Sequence, residues 1–129
     1  MPRADAALKG VLDRAATQLL ERLPRRDTWT ARVREILAAE LARGAPTLEQ
    51  IAYRLGVTER TLRRRLHDEG TSHKEVLAEL RLSLAQRHLS ERVLSVAEIA
   101  FLLGFAEPSA FHKAFRRWTG RAPADCRRA

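Results

Sequence analysis

The stretch from Ser95 to Gly120 constrains the fold of this chain most strongly, because it carries the whole pattern of two short helices joined by a tight turn. Ser95 and Glu98 have the spacing of a capping box, in which the two side chains satisfy backbone N–H groups at a helix start. Gly104 follows the first apolar face and permits a sharp turn, since glycine adopts positive φ readily. Pro108 suits the first turn of a second helix. The pattern predicts a helix-turn-helix.

The second helix of this unit has an apolar face and a polar face. Phe111, Phe115 and Trp118 recur at spacings of four and three residues, which places them on one side of a helix. The other sides carry Ser109, His112, Lys113, Arg116 and Arg117. A polar, mostly basic outer surface is typical of a helix-turn-helix that places its second helix in the major groove of DNA.

The same pattern occurs earlier in the chain, which indicates an internal repeat. The run I-A-Y-R-L-G at residues 51–56 parallels I-A-F-L-L-G at residues 99–104, an offset of 48 positions. Thr47 stands where the second unit has its capping serine. In the helix that follows, the offset is 49 positions, because Leu62 corresponds to Phe111. The sequence therefore predicts two helix-turn-helix units, one at residues 47–66 and the other at residues 95–118.

The second helix of the first unit is strongly basic. Four arginines fall within six residues, namely Arg60, Arg63, Arg64 and Arg65. Like charges on one helix repel each other, and a neighbouring polyanion relieves that repulsion. Arginine also pairs bidentately with the O6 and N7 atoms of guanine. A solvated charged surface is the alternative interpretation of such a run, but its position on the helix after the turn favours contact with DNA.

The two units closely resemble the C-terminal DNA-binding domain of the AraC/XylS family of bacterial transcription regulators. The most specific part of the resemblance is I-A-x-x-x-G-F-x-x-x-S-x-F-x-x-x-F-x-x-W-x-G-x-x-P at residues 99–123, and the whole covers about residues 33–125. It implies an all-α fold, in which two helix-turn-helix subdomains are joined by a long linker helix. It also implies sequence-specific binding to double-stranded promoter DNA, regulation of transcription, and RNA polymerase as a further partner.

The linker helix is predicted at about residues 73–89. Ser72 and Glu75 have the spacing of another capping box, and apolar side chains follow at helical intervals. About 17 residues span roughly 25 Å at 1.5 Å per residue. Two recognition helices projecting from the ends of such a rod could reach adjacent major grooves. Arg81 matches an arginine of the family in this helix, and we expect it to form a structural ion pair.

The expected DNA contacts lie on the two second helices and at helix starts. Base contacts are expected from Arg60, Arg63, Arg64, Pro108, Ser109, His112 and Lys113. Phosphate contacts are expected from Thr47, Thr58, Arg65, Ser95, Arg116 and Arg117. Because bidentate arginine–guanine pairs discriminate best between bases, we expect the first unit to dominate sequence recognition and the second to contribute more through phosphates.

Both ends of the chain lie outside the repeat. Residues 4–23 have the pattern of an amphipathic helix that Pro24 ends. Two interpretations of residues 1–26 stay open: an extra packing helix, or the tail of an effector or dimerisation domain that belongs to a longer regulator. The DNA-binding domain would then occupy residues 27–129 and begin with a core helix at about residues 28–42. We expect the last arginines, Arg121, Arg127 and Arg128, to form a frayed tail.

Composition and missing motifs exclude other classes. The formal net charge of +8 favours an anionic partner. The single cysteine, Cys126, cannot form an internal disulfide or a cysteine-based zinc site, which fits a reducing cytoplasm. The DNA binding that the resemblance implies adds association with the nucleoid to this expected cytoplasmic location. No apolar run approaches the roughly 20 residues that cross a membrane. None of the four histidines fits H-E-x-x-H. We therefore predict no enzyme activity, cofactor or metal, and a non-specific architectural DNA-binding protein stays the alternative function.

Overall fold

The computed structural model describes residues 28–128, and the helix predicted at residues 4–23 lies outside them. Regular structure within the described residues is helical throughout, as expected for an all-α fold. The elements are α1 (Trp29–Glu40), a 3₁₀ helix (Leu41–Arg43), α2 (Leu48–Arg54), α3 (Glu59–Asp68), α4 (His73–Glu91), α5 (Val96–Leu102), α6 (Pro108–Thr119) and α7 (Pro123–Arg128). We call α2 with α3 the first head and α5 with α6 the second head.

Side-chain caps fix where most of these helices begin. The capping residues are Thr28, Thr47, Thr58, Ser72 and Ser95, and each accepts a hydrogen bond from the backbone N–H three residues later. At Thr47 the capping box is complete, because the Gln50 side chain accepts from the Thr47 N–H at 2.9 Å. Both turn glycines have positive φ, 72° at Gly56 and 86° at Gly104. The helix-turn-helix pattern of the sequence is confirmed in both heads.

The two heads share one hydrophobic core. Val33 and Leu37 of α1 are fully buried, as are Leu62 of the first head and Phe111 of the second, and all four belong to a single cluster. The linker helix α4 contributes Leu80 to the same cluster. Helix α4 packs against α1, α5 and α7. A continuous core of this kind joins the two heads into one folded unit.

The linker helix is slightly longer than the sequence predicts. It runs for 19 residues to Glu91, which corresponds to about 28 Å at 1.5 Å per residue. Its C-cap, Arg92, has a left-handed conformation with φ of 58°, a position that usually favours glycine. The Arg92 guanidinium donates to the backbone carbonyl of Arg127 in α7. This contact holds the arginine in the turn that ends the linker helix.

The prediction of a frayed C-terminal tail is wrong. Residues Pro123–Arg128 form α7, which packs against both α4 and α6. The Arg127 guanidinium donates to the carbonyl of Leu89 at 3.4 Å and to that of His88 at 3.3 Å. These carbonyls lie in the last turn of α4, where a helix leaves acceptors without intrahelical donors and where positive charge is favourable. Helix α7 therefore braces the second recognition helix against the linker.

A carboxylate at the end of the first recognition helix caps a different helix. Glu69 follows α3 and accepts hydrogen bonds from the backbone N–H of Trp29 at 3.0 Å and that of Thr30 at 2.8 Å. It also accepts from the Thr30 hydroxyl at 2.6 Å. These groups lie in the first turn of α1. Partial burial acts to raise the pKa of Glu69, but the hydrogen bonds from Thr30 and Trp29 outweigh it and lower the pKa below its ordinary value.

Replacing Glu69 with glutamine is expected to lower the free energy of unfolding by about 1 kcal/mol near neutral pH, since a helix cap is weakened. A depressed folded-state pKa gives stability that is present above the unfolded-state pKa and is lost as pH falls through the folded-state value. The difference in the free energy of unfolding between wild type and Glu69→Gln should therefore become smaller as the pH falls into the acid range. Urea denaturation at several pH values from 7 to 3 measures this difference. Glu79→Gln, on the exposed surface of α4, serves as the control. An equal difference at every pH would contradict this assignment.

Candidate DNA interface

The first recognition helix, α3, separates apolar from basic side chains. Leu62 and Leu66 are fully buried, and the opposite side of the helix carries Arg60 and Arg64, which are exposed. Neither arginine has an ion-pair partner in the part of the chain that the structure describes. Both guanidinium groups are therefore available to an external acceptor, as the predicted base contacts require.

Arg63 lies on the flank of the same surface and is paired within the helix. Its Nη2 atom is 2.8 Å from the Oε1 atom of Glu59, and both side chains are largely exposed. An exposed ion pair of this spacing contributes only about 0.3–0.5 kcal/mol. A base edge can therefore replace Glu59 as the partner of this guanidinium at little cost, and Arg63 keeps its place among the candidate base contacts.

Arg65 lies on the side of α3 that faces α1. Its guanidinium carbon is 5.9 Å from the ring centroid of Trp29, and that of Arg32 is 5.1 Å from the same ring. Cation–π contacts of this length add modest stability at exposed sites. Arg65 therefore lies apart from Arg60 and Arg64, toward α1.

The second recognition helix, α6, presents a matching surface. Phe111, Ala114 and Phe115 are buried, and Pro108 is half-buried at the first helical position. The exposed side chains are Ser109, His112, Lys113, Arg116 and Arg117. At the offset of 49 positions, Ser109, His112 and Lys113 correspond to Arg60, Arg63 and Arg64. The predicted base-contact residues therefore occupy equivalent helical positions in the two heads.

The two surfaces differ in what they can recognise. The first offers guanidinium groups, which suit the paired acceptors of guanine. The second offers one hydroxyl, one imidazole and one ammonium, and the Ser109 hydroxyl is 3.4 Å from a carboxylate oxygen of Glu107. Toward its C-terminal end, α6 carries Arg116 and Arg117, which are exposed. This distribution is the chemical reason to expect base recognition mainly from the first head.

The helix starts expected to contact phosphates are also at the surface. Thr47, Thr58 and Ser95 are exposed, and each side-chain oxygen already accepts from the helix that it caps. The Thr58 hydroxyl donates to the hydroxyl of Thr61 at 2.9 Å. Backbone N–H groups in the first turns of these helices are suited to anionic oxygens.

Two further residues belong to the basic surface of α3, namely His67, which the sequence pattern did not single out, and Glu59, one of its predicted outward positions. His67 is exposed one turn beyond Arg63 and Arg64 and corresponds to Arg116 of the second head at the offset of 49 positions. The repeat itself could have identified it. Glu59 also belongs to this surface, and its spacing of four residues from Arg63 was a visible signal for an ion pair. Both residues lie within reach of any ligand on the basic side of α3.

Arg81 has a structural role, but the predicted ion pair is wrong, because its partners among residues 28–128 are backbone carbonyls and an aromatic ring. Its Nε atom donates to the carbonyl of Leu103 at 2.8 Å, and its Nη2 atom lies 3.5 Å from the carbonyl of Gly104. Its guanidinium carbon is 4.3 Å from the centroid of the Phe105 ring. Burial lowers the pKa of this guanidinium. Leu103 is the C-cap of α5, so the positive charge is placed at the C-terminal, electronegative end of that helix.

Other classes of site find little support in the described part of the chain. Phe111 and Phe115 are buried and Trp118 is partly buried, so these rings are not free to wedge between base pairs. Residues 28–128 contain no group of three or more histidine, cysteine or acidic side chains that could hold a metal ion. None of the described helices is long and apolar enough to cross a membrane.

The chain is similar in sequence to known helix-turn-helix proteins. A family model described as a helix-turn-helix domain matches residues 51–129. The ornithine utilization regulator of Pseudomonas aeruginosa is 39% identical over 129 residues, which is all of this chain and 38% of that protein. The chain therefore spans less than half the length of this relative.

Two solved structures of transcription regulators share this fold. The DNA-binding domain of AdpA, described as a global transcriptional factor in complex with a target DNA, matches with a TM-score of 0.68 and 31% identity, over 78% of this chain and 91% of that one. A transcriptional regulator of Chromobacterium violaceum, described as containing an AraC-type DNA-binding domain, matches with a TM-score of 0.68 and 25% identity, over 77% of this chain and 88% of that one.

Proposed function

Because the chain belongs to the AraC-type family of helix-turn-helix transcription regulators, we propose that it regulates transcription by inserting α3 and α6 into adjacent major grooves of promoter DNA. One observation carries the proposal: two equivalent exposed polar surfaces project from helices that share a single core. Successive major grooves on one side of B-DNA are about 34–36 Å apart. The linker helix of about 28 Å, with the two heads at its ends, suits that distance, with DNA bending making up the difference.

In the first head, Arg60 and Arg64 act as base contacts in this proposal, and Arg63 joins them by exchanging Glu59 for a base. Each bidentate arginine–guanine pair is worth about 1–3 kcal/mol of discrimination. In the second head, Ser109, His112 and Lys113 supply the weaker base contacts, and Pro108 supplies an apolar one. Sequence recognition is therefore uneven between the two half-sites.

Phosphate contacts fix the position and the orientation of the two heads on the duplex. Their proposed donors are the helix starts at Thr47, Thr58 and Ser95 together with Arg65, Arg116 and Arg117. All of these groups are exposed. They provide affinity for any sequence, and this part of the binding weakens as salt rises.

We expect Arg116→Ala to weaken binding to all duplexes about equally and to reduce the slope of log K against log salt by about 0.9, the value for one phosphate contact. The reason is that a phosphate contact carries no sequence information. Titrations of a specific and a scrambled duplex at several salt concentrations measure both effects. Arg87→Ala removes an exposed arginine that pairs with Glu91 on the linker helix and serves as the control. A loss confined to the specific duplex would show that Arg116 contacts a base.

The chain is, in this proposal, the DNA-binding part of a longer regulator. Its match covers 38% of the ornithine utilization regulator. We assign DNA binding to residues 27–129. For residues 1–26 both interpretations stay open, namely an extra packing helix and the tail of an effector or dimerisation domain. RNA polymerase is the proposed second partner at the promoter, and the nucleoid is the proposed location. No catalytic activity belongs to this function.

The function is tested by selection from a random pool of about 30 base pairs, a length that covers two successive major grooves. The chain should enrich two sub-motifs about one helical turn apart, and the first head's sub-motif should have the higher information content. Enrichment of no motif, with binding that disappears steeply as salt rises, would leave only a non-specific backbone binder.

A further inference from the structure

The turn of the second head is held against the first half of the molecule by direct backbone contact. A Cβ atom added to Gly104 would lie 2.3 Å from the backbone oxygen of Leu41 and 3.3 Å from Nη2 of Arg81. Leu41 begins the 3₁₀ helix that follows α1. Only a residue without a side chain permits this approach, so the position of the second head depends on Gly104 for a steric reason as well as for its φ of 86°.

The corresponding glycine of the first head has no such contact. Gly56 also has positive φ, 72°, but a Cβ atom added to it would meet nothing within 4 Å. The two glycines therefore share the backbone conformation of the turn and differ in the close approach. The repeat thus supplies an internal control. Replacing Gly56 strains the backbone of a turn without affecting any contact between the two halves, whereas replacing Gly104 does both.

Arg81 completes the contact from the linker helix. It donates to the carbonyl of Leu103 at 2.8 Å and stacks on Phe105, whose ring centroid is 5.6 Å from that of Phe111 and 6.4 Å from that of Trp118. The guanidinium therefore joins the linker to the turn of the second head and, through Phe105, to the second recognition helix. At the offset of 48 positions the first half has Val33, so this arginine has no counterpart there.

We propose that Gly104 and Arg81 act as positioning residues that set the spacing between the two half-sites. This inference rests on the proposed function, and it adds the residues that decide which spacing is accepted. One inserted base pair moves a half-site by about 3.4 Å and rotates it by about 35° around the duplex. A head held by these contacts cannot follow that rotation, whereas a loosened head can.

The experiment measures affinity for a series of duplexes in which the selected half-sites are separated by one base pair more or fewer than the selected spacing. For the wild type, a one-base-pair change is expected to reduce affinity about tenfold, because both heads can no longer engage together. In Gly104→Ala and Arg81→Gln the same change should reduce affinity only about twofold. The ratio between spacings is the readout, since a variant that is merely destabilised loses affinity for all spacings alike.

Gly56→Ala and Arg87→Gln serve as matched controls and should keep the wild-type ratio. Arg81→Gln removes no backbone freedom, so it remains informative if Gly104→Ala does not fold. The inference is overturned if folded Arg81→Gln and Gly104→Ala retain the tenfold preference of the wild type. If the wild-type chain enriches no motif in the selection, the proposed function is overturned instead. If the wild-type chain binds both half-sites equally well at every spacing, only this inference is overturned.

Discussion

Replacing Phe111 with alanine is expected to lower the free energy of unfolding by about 3–5 kcal/mol, the range for a buried phenylalanine. The side chain is fully buried, and its ring centroid is 5.7 Å from that of Phe115 in an edge-to-face arrangement. Truncation would leave a cavity and remove aromatic contacts, which stabilise the fold beyond the burial of apolar surface. Because the core is one cluster that includes both heads, the loss should appear as a single transition in urea denaturation followed by circular dichroism.

Tyr53 provides the control for this prediction. It lies in the first helix of the first head and is 87% exposed. Tyr53→Ala should change the free energy of unfolding by no more than about 0.5 kcal/mol, as is usual for surface substitutions. A loss below about 1 kcal/mol for Phe111→Ala would contradict its place in the core. Two separate transitions would contradict the shared core.

The double substitution Arg60→Ala and Arg64→Ala is expected to reduce affinity for the selected sequence by about 2–6 kcal/mol, from two pairs at about 1–3 kcal/mol each. This corresponds to a factor of about 30 or more. Both side chains are exposed, on the side of α3 opposite Leu62 and Leu66, so their loss should leave the fold intact. Affinity for a scrambled duplex should fall much less, because phosphate contacts elsewhere remain.

The equivalent substitutions in the second head test the expected difference between the two heads. Ser109→Ala and Lys113→Ala replace the residues that correspond to Arg60 and Arg64. Their combined effect on the selected sequence should be smaller, since neither side chain forms the bidentate pair that arginine makes with guanine. Titrations of specific and scrambled duplexes with both double variants compare the heads directly. Equal losses on specific and scrambled DNA for Arg60→Ala with Arg64→Ala would show that these arginines contact only phosphates.

Local sequence patterns were sufficient to predict the two heads. Thr47 and Ser95 cap helices where their spacing to Gln50 and Glu98 indicates, because a cap depends on residues three positions apart. The buried faces of α3 and α6 follow the helical period for the same reason. The resemblance to a known family then added the role of α4 as a linker between the heads and the identity of the ligand, neither of which periodicity could supply.

Contacts between distant residues were not predictable in the same way. Glu69 caps a helix about 40 positions earlier in the chain, and Arg127 binds carbonyls 38 and 39 positions earlier. Helix α7 has only six residues, which is too short for an apolar period to identify it. Arg81 was expected to form an ion pair because it matches an arginine of the family in this helix, whereas its partners are the backbone carbonyls of Leu103 and Gly104 at the end of α5. Such partners become visible only when the packing of the helices is known.

A hydroxyl-radical footprint of the chain on its selected duplex tests the central claim most directly. If α3 and α6 enter adjacent major grooves from one side, the cleavage pattern should show protected backbone segments on one face of the duplex, centred about one helical turn apart. Arg116→Ala should weaken protection near the second segment only. A single protected segment would mean that only one head engages DNA, and uniform protection along the duplex would mean that binding is not sequence-specific. Either result would contradict a regulator with two recognition helices.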